Sequence, residues 1–217
     1  MKDIGGIIAC KGNSRRVPNK NIRKFGDSSL LEIKINQLKK FLDKVYVNSE
    51  DDKILEIAAN AGAIPIKRDR HFSTDTISIN KVYTAVTEDL PHDHILYAHV
   101  TSPLLKDETI KKCIDIYNNL DKNKRYNSVC TVTELKKFIW FNNKPINYDF
   151  EKMPRSQDLP NYHTIAFAIN ILSKNELLKN NNIVTRQYHP VILDDIESID
   201  IDTEHEFELA EYFYNKL

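Results

Sequence analysis

The stretch KGNSRRVPNKN, residues 11–21, concentrates positive charge directly after an apolar run at positions 4–10. Its four cations are Lys11, Arg15, Arg16 and Lys20. Lysine and arginine form charge-assisted hydrogen bonds with phosphate, and the missing side chain of Gly12 lets a backbone approach an anion closely. The spacing matches neither GxxxxGK[ST] nor GxGxxG. The stretch therefore predicts an anion site of another kind, and the alternative is a solvated basic turn.

Two carboxylates stand two positions apart in SIDIDTEHE, residues 198–206. On an extended strand, Asp200 and Asp202 would point to one side and Ile201 to the other. Two carboxylates that close together repel each other unless a cation lies between them. The pattern is therefore compatible with a divalent metal. The alternative is that Asp202 caps the closing helix, with Glu206 in its first turn, and the spacing alone does not choose.

The elements that must position these residues alternate between short apolar runs and amphipathic segments. The runs IGGIIAC, KVYVNS, AIPIKR, HILYAHV, NSVCTVTEL and TIAFAINIL predict strands, and VILDDIESIDID is also strand-like. The segments SLLEIKINQLKKFL, DDKILEIAANAG, SINKVYTAVTEDL, DETIKKCIDIYNNL, SKNELLKNN and TEHEFELAEYFYNKL predict helices. This rhythm predicts an α/β fold with three α/β/α layers and a mostly parallel sheet. Ligands in such sheets bind beyond the carboxyl ends of the strands, and we expect the helix after the first loop to add its N-terminal dipole.

Residues 136–162 break this rhythm with a segment rich in aromatic residues, Asn and Pro. Within it, FIWF predicts a hairpin strand and NNKP its turn. A loop of this length inside a compact domain is usually functional or packs elsewhere. We therefore predict a single domain, residues 1–217, that carries a protruding insert at 136–162.

The charge balance bears on the partners of the protein. The 31 Lys and Arg residues equal the 31 Asp and Glu residues, so no global field indicates nucleic acid or an anionic membrane. No apolar run approaches the roughly 18 residues of a membrane span, and MKDIGGIIAC is too short in its apolar part for a secretory signal. Cys10, Cys113 and Cys130 are not spaced like zinc ligands. We expect three buried thiols in a cytoplasmic protein.

Four blocks of the sequence together resemble one enzyme family. KGNSRRVPNKN resembles R-x-x-S-K/R-x-x-P-x-K-N, and RDRHFSTDT, residues 68–76, resembles R-P-x-x-x-(A/S)-x-D-T. HVTSPLL, residues 99–105, resembles Q-P-T-S-P-L-R, and SIDIDTEHEFELAE, residues 198–211, resembles I-D-I-D-T-x-x-D-L-x-x-A-E. Their order and spread resemble the CMP-sialic acid synthetase (acylneuraminate cytidylyltransferase) family of nonulosonic-acid cytidylyltransferases. The resemblance implies the Rossmann-like fold of nucleotide-diphospho-sugar transferases.

The reaction that the resemblance implies is attack of a sugar hydroxyl on the α-phosphorus of CTP, with release of pyrophosphate. The acceptor would be an acidic sugar such as sialic, legionaminic or pseudaminic acid. The resemblance also implies Mg²⁺ as cofactor, held by Asp200 and Asp202, because a hard cation suits phosphate and carboxylate oxygens. Two alternatives stay open. One is a different acceptor, such as another keto-deoxy acid, a phosphonate or a phosphorylated polyol, and the other is a non-catalytic nucleotide-binding protein.

The nucleotide site that the resemblance implies comprises Lys11, Gly12, Asn13, Ser14, Arg15, Lys20, Asn21, Arg68 and Thr76. The cations of the first loop would surround the triphosphate together with Ser14. Asn21 would meet the base or ribose, with a helix-start cap as the alternative, and Arg68 and Thr76 would flank the nucleoside. Lys20, Arg15 and Asp202 would be catalytic, because catalysis of this reaction is mostly positioning and electrostatic stabilisation.

The acceptor site that the resemblance implies comprises His99, Thr101, Ser102 and Arg155. His99 replaces the family's Gln, and it can hydrogen-bond a substrate but also titrate near neutral pH. The alternative is a structural histidine whose hydrogen bonds are satisfied within the protein. Arg155 suits a carboxylate because its planar fork binds bidentately, and the alternative is a surface or interface cation. HTIAFAIN departs from the family, since it lacks Asn-Gly and has Ala168 where an aromatic is usual. The general base stays open between His99 and a metal-bound water or hydroxide.

In relatives, the insert pairs with a twin subunit and completes the neighbour's pocket, so the resemblance implies a homodimer. Phe138, Trp140 and Phe141 are the kind of aromatic residues that anchor an interface core. The alternative for Trp140 is that it packs back onto its own domain.

Overall fold

A seven-stranded sheet organises the chain. The computed structural model describes residues 2–12, 14–74, 76–120 and 125–216. The strands are β1 (Ile4–Ala9), β2 (Lys24–Phe25), β3 (Ser28–Ser29), β4 (Val45–Ser49), β5 (Ile64–Lys67), β6 (His94–Ala98), β7 (Ser128–Leu135), β8 (Trp140–Phe141), β9 (Lys144–Pro145), β10 (Tyr162–Ser173) and β11 (Tyr188–Ile192). The α-helices are α1 (Leu30–Lys39), α2 (Asp52–Asn60), α3 (Ile79–Thr87), α4 (Asp107–Asn119), α5 (Lys174–Asn180) and α6 (Glu204–Tyr214).

The sheet is mostly parallel, as the alternating pattern predicts. Its order is β11-β7-β10-β6-β1-β4-β5, and β1 pairs parallel with both β4 and β6 at its centre. Strand β10 runs antiparallel to β6 and β7. It follows β7 through the insert without a crossover helix, so the chain returns in the opposite direction.

Helices cover both faces of the sheet, which confirms the three-layer prediction. Residues at successive positions of a strand point to opposite faces, and Ile7 and Ile8 of β1 accordingly join different apolar clusters. Ile8 packs with residues of α1, α2, α4 and α6, among them Phe207. Ile7 packs with residues of α3 and α5, among them Val82 and Leu177.

The β2–β3 hairpin packs against α6 and so joins the two ends of the chain. Phe25 is fully buried, and its ring centroid lies 5.2 Å from that of Phe207 and 5.1 Å from that of Tyr214. Gly26 supplies the positive φ of +57° in the hairpin turn, and its N–H donates to Glu211 Oε1 at 2.9 Å. This packing puts the first loop beside the start of α6.

The insert contains a short hairpin where the sequence predicts one. Strands β8 and β9 pair antiparallel. Asn142 and Asn143 between them have φ values of +48° and +58°, which a two-residue type I′ turn requires and asparagine tolerates. The hairpin predicted at FIWF is therefore confirmed for Trp140 and Phe141. The turn is shorter than the predicted NNKP, because Lys144 and Pro145 form β9 and only Asn142 and Asn143 connect the strands.

The insert exposes several large apolar side chains. Trp140 is 49% exposed and Phe141 is 67% exposed. The ring of Trp140 contacts Tyr148 and Phe150, with centroids 6.4 and 5.8 Å away. These contacts lie within the insert itself, so they give no support to the alternative in which Trp140 packs back onto the sheet domain.

The segment before α6 differs from its strand-like prediction. Strand β11 ends at Ile192, and Asp194 Oδ1 then accepts the N–H groups of Ile196 and Glu197 at 3.0 and 2.8 Å. An aspartate that bonds the backbone two and three positions on closes a turn. The expectation that the strand continues through Asp202 is therefore wrong.

The three cysteines are buried and free, as predicted. Burial raises the pKa of the Cys10, Cys113 and Cys130 thiols to about 12 in each case, so they are not thiolates near neutral pH. None of the helices in the described ranges is long and apolar enough to cross a membrane.

Candidate active site

The carboxyl ends of β1 and β6 form the floor of a cavity of about 210 Å³, which we call the basic recess. Its principal polar lining residues are Lys11, Ser14, Lys20, Asn21, His99 and Thr101. This is the edge of a parallel sheet at which ligands are expected. Six residues that the sequence assigns to the nucleotide or acceptor site therefore share one cavity.

A tight turn presents Lys20 to the basic recess. The Lys20 N–H donates to the Val17 carbonyl at 3.2 Å. Pro18 occupies the second position of the turn, and Asn19 has a φ of +54° at the third, which is the sequence pattern of a type II turn. Val17 is fully buried and anchors the turn in the core. The Lys20 ammonium then donates to the Ile201 carbonyl.

Lys20 lies beside Asp202. The Nζ atom of Lys20 is 3.7 Å from Asp202 Oδ1, and Arg16 Nη2 donates to the same oxygen at 2.7 Å. Lys20 is only 8% exposed. Burial lowers the pKa of Lys20, while the charges of Asp202 and Asp200 act against that shift. Cations from the first loop and carboxylates from the last loop thus meet at one place.

Asp202 is not the cap of the closing helix. Thr203 is the N-cap of α6, and its Oγ1 accepts the Glu206 N–H at 3.3 Å. In the reciprocal hydrogen bond, Glu206 Oε2 accepts the Thr203 N–H at 2.8 Å. This reciprocal capping box excludes the capping alternative for Asp202 and leaves its carboxylate to the site.

Asp200 and Asp202 flank a residue that is held in the core. Ile201 has no exposed surface, and its N–H donates to the Thr101 carbonyl at 2.9 Å. Residues 200–202 belong to no strand, and of the three only Ile201 is buried. The alternation of burial that the sequence predicts is therefore present, although a loop provides it and not a strand.

This carboxylate pair fits a hard divalent cation. Asp200 is exposed at its residue surface, yet partial loss of hydration raises the pKa of its carboxyl. Thr101 lowers this pKa, and the negative charge of Asp202 raises it further. A cation between the two carboxylates would relieve their repulsion. Mg²⁺ is commonly held by one or two carboxylates, with waters and substrate phosphates completing its shell. Within the described ranges, no group of three or more His, Cys, Asp or Glu residues could hold a metal, which agrees with such a substrate-completed site.

A second cavity of about 380 Å³ adjoins the first, and we call it the tyrosine recess. Ala9, Lys11 and His99 line both cavities, and the other walls of the second include Arg68, Thr74, Ile77, Val82, Tyr83 and Tyr97. The rings of Tyr83 and Tyr97 meet edge to face at 5.1 Å. Burial raises the pKa of Tyr83 to about 12, so its phenol is neutral. Apolar walls with a few fixed polar groups suit a nucleoside.

Arg68 forms a wall of the tyrosine recess and is itself 5% exposed. Its Nη2 donates to the Asn48 carbonyl at 2.9 Å and to the Cys10 carbonyl, so it ties together the ends of β4 and β1. Glu50 Oε2 balances its charge at 3.6 Å. The buried Nε has no hydrogen-bond partner within the described part of the chain, which leaves one donor for a ligand or a water.

The space beside Gly12 is filled by the side chain of Asp51 and is not open to an anion. Its N–H donates to Glu50 Oε1 at 2.8 Å, and a Cβ at this position would lie 2.5 Å from Asp51 Oδ2. Asp51 cannot easily move because its Oδ1 caps α2 by accepting the Lys53 N–H at 2.8 Å. The expectation that Gly12 brings the backbone to a phosphate is therefore wrong for this conformation.

The N-terminus of α1 does not serve the anion site either. The β2–β3 hairpin separates the first loop from α1, and the first amides of the helix already have partners. The Leu31 N–H donates to the Asn21 carbonyl at 3.0 Å, and the Glu32 N–H donates to Ser29 Oγ at 3.3 Å. Ser29 is thus the helix cap, and the capping alternative for Asn21 is wrong. The Asn21 amide instead donates to the Lys11 carbonyl at 3.0 Å.

Two further predicted nucleotide ligands, Arg15 and Thr76, line neither recess. Asn13 lies outside the described residues. Arg15 is exposed on the first loop. Thr76 is also exposed, and its hydroxyl lies 3.1 Å from that of Thr74, which does line the tyrosine recess.

His99 stands between the two recesses and is neutral in the free protein. Burial lowers the pKa of His99 to about 4, and the charges of Lys34 and Lys20 act in the same direction. Its Nε2 is buried without a partner among the described residues. The expectation that His99 titrates near neutral pH is therefore wrong. A base this weak is a poor match to proton abstraction at pH 7.

The remaining predicted acceptor ligands lie in different environments. Thr101 lines the basic recess. Ser102 is 2% exposed and lines neither recess, so the structure gives it no direct contact with substrate. Arg155 lies on the insert, where its Nε is 2.8 Å from Asp158 Oδ2 and its side chain is 75% exposed. It lines neither recess of its own chain.

A larger cavity of about 670 Å³ lies elsewhere, where residues such as Lys2, His94, Tyr117 and Glu176 surround it. It is at the amino end of β6, and none of the predicted site residues lines it. We take the two smaller recesses as the site because they lie at the carboxyl ends of the strands and contain the converging charges.

Several residues of the site were not predicted from the sequence. Glu50 accepts a hydrogen bond from the Gly12 N–H and forms an ion pair with Arg68. Its position directly after β4 is the sequence signal that could have identified it as a site residue. Tyr83 and Tyr97 read as core residues because each belongs to a regular helix or strand. Phe167 has a φ of +54°, which is unusual for a bulky residue, and its ring lies 5.8 Å from that of His99. No local pattern predicts that conformation.

Solved structures that resemble this chain are nucleotidyl-transferring enzymes. A CMP:2-keto-3-deoxy-manno-octonic acid synthetase in complex with CTP covers 99% of both chains with a TM-score of 0.73 at 11% identity. A 4-diphosphocytidyl-2C-methyl-D-erythritol synthase from Anaerococcus prevotii also covers 99% of both chains, with a TM-score of 0.66 at 15% identity. At such low identities the likeness concerns the fold, and it confirms the predicted Rossmann-like class.

Sequence comparison gives the family. The family model described as cytidylyltransferase matches residues 6–217. Pseudaminic acid cytidylyltransferase of Campylobacter jejuni is 28% identical over 96% of this chain and 94% of its own length. CMP-N,N′-diacetyllegionaminic acid synthase of Legionella pneumophila is 26% identical over the same shares. The chain belongs to the cytidylyltransferase family, and it is therefore a nucleotidyltransferase.

Proposed function

We propose that this protein transfers CMP from CTP to an acidic nonulosonic sugar of the pseudaminic, legionaminic or sialic type and releases pyrophosphate. The observation that carries the proposal is the meeting of Lys20, from the first loop, with Asp202, from the last, at 3.7 Å beside a recess suited to a nucleoside. The relatives named above act on pseudaminic and legionaminic acids according to their names. A cytoplasmic location, where CTP is available, is part of the proposal.

In this proposal the triphosphate occupies the basic recess. Lys11 and Lys20 supply positive charge inside it, and Ser14 supplies a hydroxyl. Arg15 and Arg16 are exposed on the same loop, where they can follow the outer phosphates as pyrophosphate leaves. Since Arg16 pairs with Asp202 in the free protein, it must exchange that carboxylate for a phosphate when substrate binds.

The nucleoside occupies the tyrosine recess. Tyr83 and Tyr97 provide its apolar floor, and Arg68 directs its unpartnered Nε toward the polar edge of the base or ribose. Asn21 holds the first loop closed behind the ribose through its bond to Lys11. Thr74, which lines this recess, replaces Thr76 as the threonine that flanks the nucleoside.

Asp200 and Asp202 would hold Mg²⁺ together with phosphate oxygens of CTP. When bound, the cation would neutralise charge that accumulates on the phosphates. The chain's own contribution is to hold both carboxylates ready, through the Thr101 contact to Asp200 and the core position of Ile201. Because His99 is neutral and weakly basic, we assign it a hydrogen bond to the acceptor and not the role of general base.

The acceptor would lie between His99 and a second subunit. Arg155 is too exposed and too far along the insert to line the recesses of its own chain, so we propose that it reaches the carboxylate of the acceptor bound by a partner subunit. The exposed Trp140 and Phe141 of the same insert would form the core of a two-fold interface. The homodimer is thus part of the proposed active site.

Pyrophosphate release tests the proposal. The protein is incubated with CTP, Mg²⁺ and a panel of acceptors: pseudaminic, legionaminic and sialic acids, 3-deoxy-manno-octulosonate, and a phosphorylated polyol. We expect turnover with at least one nonulosonic acid. Turnover restricted to the octulosonate or the polyol would change the acceptor class, and CTP binding without turnover on any acceptor would contradict the enzymatic proposal.

A further inference from the structure

Lys34 is a buried ammonium group on α1 that the proposed reaction does not use. It has no exposed surface, and burial lowers its pKa to about 7, while Asp107 acts on it in the opposite direction. Its Nζ donates to the Ser102 carbonyl at 2.9 Å and to Gln37 Oε1 at 2.8 Å. Both partners are neutral oxygens. A methionine would fill a similar volume without the loss of hydration, so packing alone does not explain a lysine here.

The carbonyl that Lys34 holds belongs to the segment 101–105, which lies between α1 and the carboxylate pair. Gln37 Nε2 holds the other end of this segment by donating to the Leu105 carbonyl at 2.6 Å. Lys34 and Gln37 also bond each other. One turn of α1 therefore fixes the segment at both of its ends.

The opposite side of the same segment holds the carboxylates. The Thr101 carbonyl accepts the Ile201 N–H at 2.9 Å, and the Thr101 side chain is close enough to Asp200 to lower the pKa of its carboxyl. Further along, the Lys106 N–H donates to Glu197 Oε1 at 3.0 Å, which fixes the turn that leads to Asp200. Two hydrogen bonds and the backbone between them thus connect Lys34, through Ser102 and Thr101, to Ile201, which lies between the two carboxylates.

We propose that Lys34 is a positioning residue, which fixes Asp200 and Asp202 for cation binding through the 101–105 segment. The inference rests on the proposed function, because the role of the two carboxylates as cation ligands is part of it. The positioning itself is a property of the free protein and can be measured without CTP or acceptor. Residues that orient metal ligands typically change metal affinity by about 10–100-fold when they are lost.

The test compares Lys34→Met with Lys39→Met, a matched control on the same helix whose lysine is exposed and bonds the Ala61 carbonyl at 2.8 Å. Hydrogen–deuterium exchange is measured by mass spectrometry on both free proteins. We expect amides of the 198–204 peptide to exchange about tenfold faster in Lys34→Met, while a peptide covering α3 (Ile79–Thr87), on the opposite face of the sheet, stays at the wild-type rate. In the turnover assay, the Mg²⁺ concentration for half-maximal rate should rise about tenfold.

Gln37→Ala provides the second variant, which keeps the test decisive if Lys34→Met does not fold. This change frees the Leu105 carbonyl but keeps the lysine, so it should give the same local exchange pattern with a smaller amplitude. Exchange at 198–204 that equals wild type, or that rises equally in every peptide, would overturn the positioning role. Faster exchange at 198–204 in a protein that turns over none of the acceptors would support the inference and contradict the proposed function separately.

Discussion

Lys20 Nζ lies 3.7 Å from Asp202 Oδ1, although the two residues come from the first and last loops of the chain. Two hydrophobic anchors produce this relationship. Val17 and Phe25 are fully buried on either side of Lys20, and the Phe25 ring packs on Phe207 of α6 at 5.2 Å. Since Asp202 directly precedes the N-cap of α6, the same packing fixes both charges.

Replacement of Asp202 should abolish turnover and leave the fold intact. Its carboxylate is half exposed and bonds no backbone N–H as a cap, so Asp202→Ala removes a charge without unfolding α6. We expect a loss of at least about 10²-fold in pyrophosphate release, the scale on which a preorganised electrostatic contact acts. Asp195→Ala, at an exposed carboxylate of the preceding turn, is the matched control. Activity of Asp202→Ala at the wild-type level would remove the metal role.

Removal of the divalent cation should stop the reaction in the same way. Treatment with EDTA should lower pyrophosphate release to background, and added Mg²⁺ should restore it, because among the described residues no third His, Cys, Asp or Glu joins Asp200 and Asp202 in a metal-binding group. Circular dichroism should show an unchanged fold after EDTA. Full activity in EDTA would contradict the assignment of the carboxylates.

Arg155 should act in the site of the partner subunit. Arg155→Ala is expected to raise the KM for acceptor about 10- to 150-fold, the effect of losing a charge-assisted contact of about 1.5–3 kcal/mol, and to leave the KM for CTP unchanged. Lys152→Ala, on the same insert, is the control. A selective effect on the KM for CTP would move Arg155 to the nucleotide site.

Mixed dimers separate the two possible locations of Arg155. In a dimer of Arg155→Ala with Asp202→Ala, one site contains Asp202 from one chain and Arg155 from the other. If Arg155 acts across the interface, random mixing at low acceptor concentration should restore about a quarter of the wild-type sites, because half of the dimers are mixed and each has one intact site. No recovery, with subunit exchange verified, would place Arg155 in its own chain's site.

Gly12→Ala should damage the nucleotide site through packing. A Cβ at this position would lie 2.5 Å from Asp51 Oδ2, and Asp51 is held as the cap of α2. The first loop must therefore shift, at a cost of about 1–3 kcal/mol for an overpacked position. We expect a lower Tm and a raised KM for CTP. Wild-type values of both Tm and the KM for CTP would show that the first loop accommodates the added methyl group without shifting, which would contradict the packing argument.

The stability of the protein should rise with pH because of Lys34. Its pKa is about 7 in the folded chain and 10.5 in the unfolded chain, so between these values the unfolded state binds the extra proton. Raising the pH through this window therefore favours folding, by at most about 1.4 kcal/mol per pH unit, and the gain is absent below pH 7. Urea unfolding of wild type and Lys34→Met at several pH values measures this. If the free energy of unfolding changed with pH in the same way for both proteins, the assigned pKa shift of Lys34 would be contradicted.

The fold class could be predicted from the sequence because the apolar runs and amphipathic segments each extend over several residues. The alternation of Asp200, Ile201 and Asp202 also held, since burial of one side chain dictates the direction of its neighbours. The reversed direction of β10 could not be predicted, because the strand's composition is that of any buried strand. Its direction follows from the insert, whose path the local sequence does not specify.

Site residues could be predicted from the sequence where residue type and spacing indicate the chemistry, as for Lys11, Lys20 and Asn21. They could not be predicted where tertiary contacts decide the role of a side chain. Gly12 makes room for Asp51, and the neutrality of His99 depends on burial beside Lys34 and Lys20. These contacts join residues that are distant in the chain, so no window of sequence contains them.

The most direct test of the central claim is a double-mutant cycle on CTP binding. Calorimetry with CTP and Mg²⁺ compares wild type, Lys20→Met, Asp202→Asn and the double variant. If both residues act on the phosphates of one nucleotide, their effects should be coupled by about 1 kcal/mol or more, as for groups in one charged network. Effects that add to within about 0.5 kcal/mol, as for independent sites, would contradict the account.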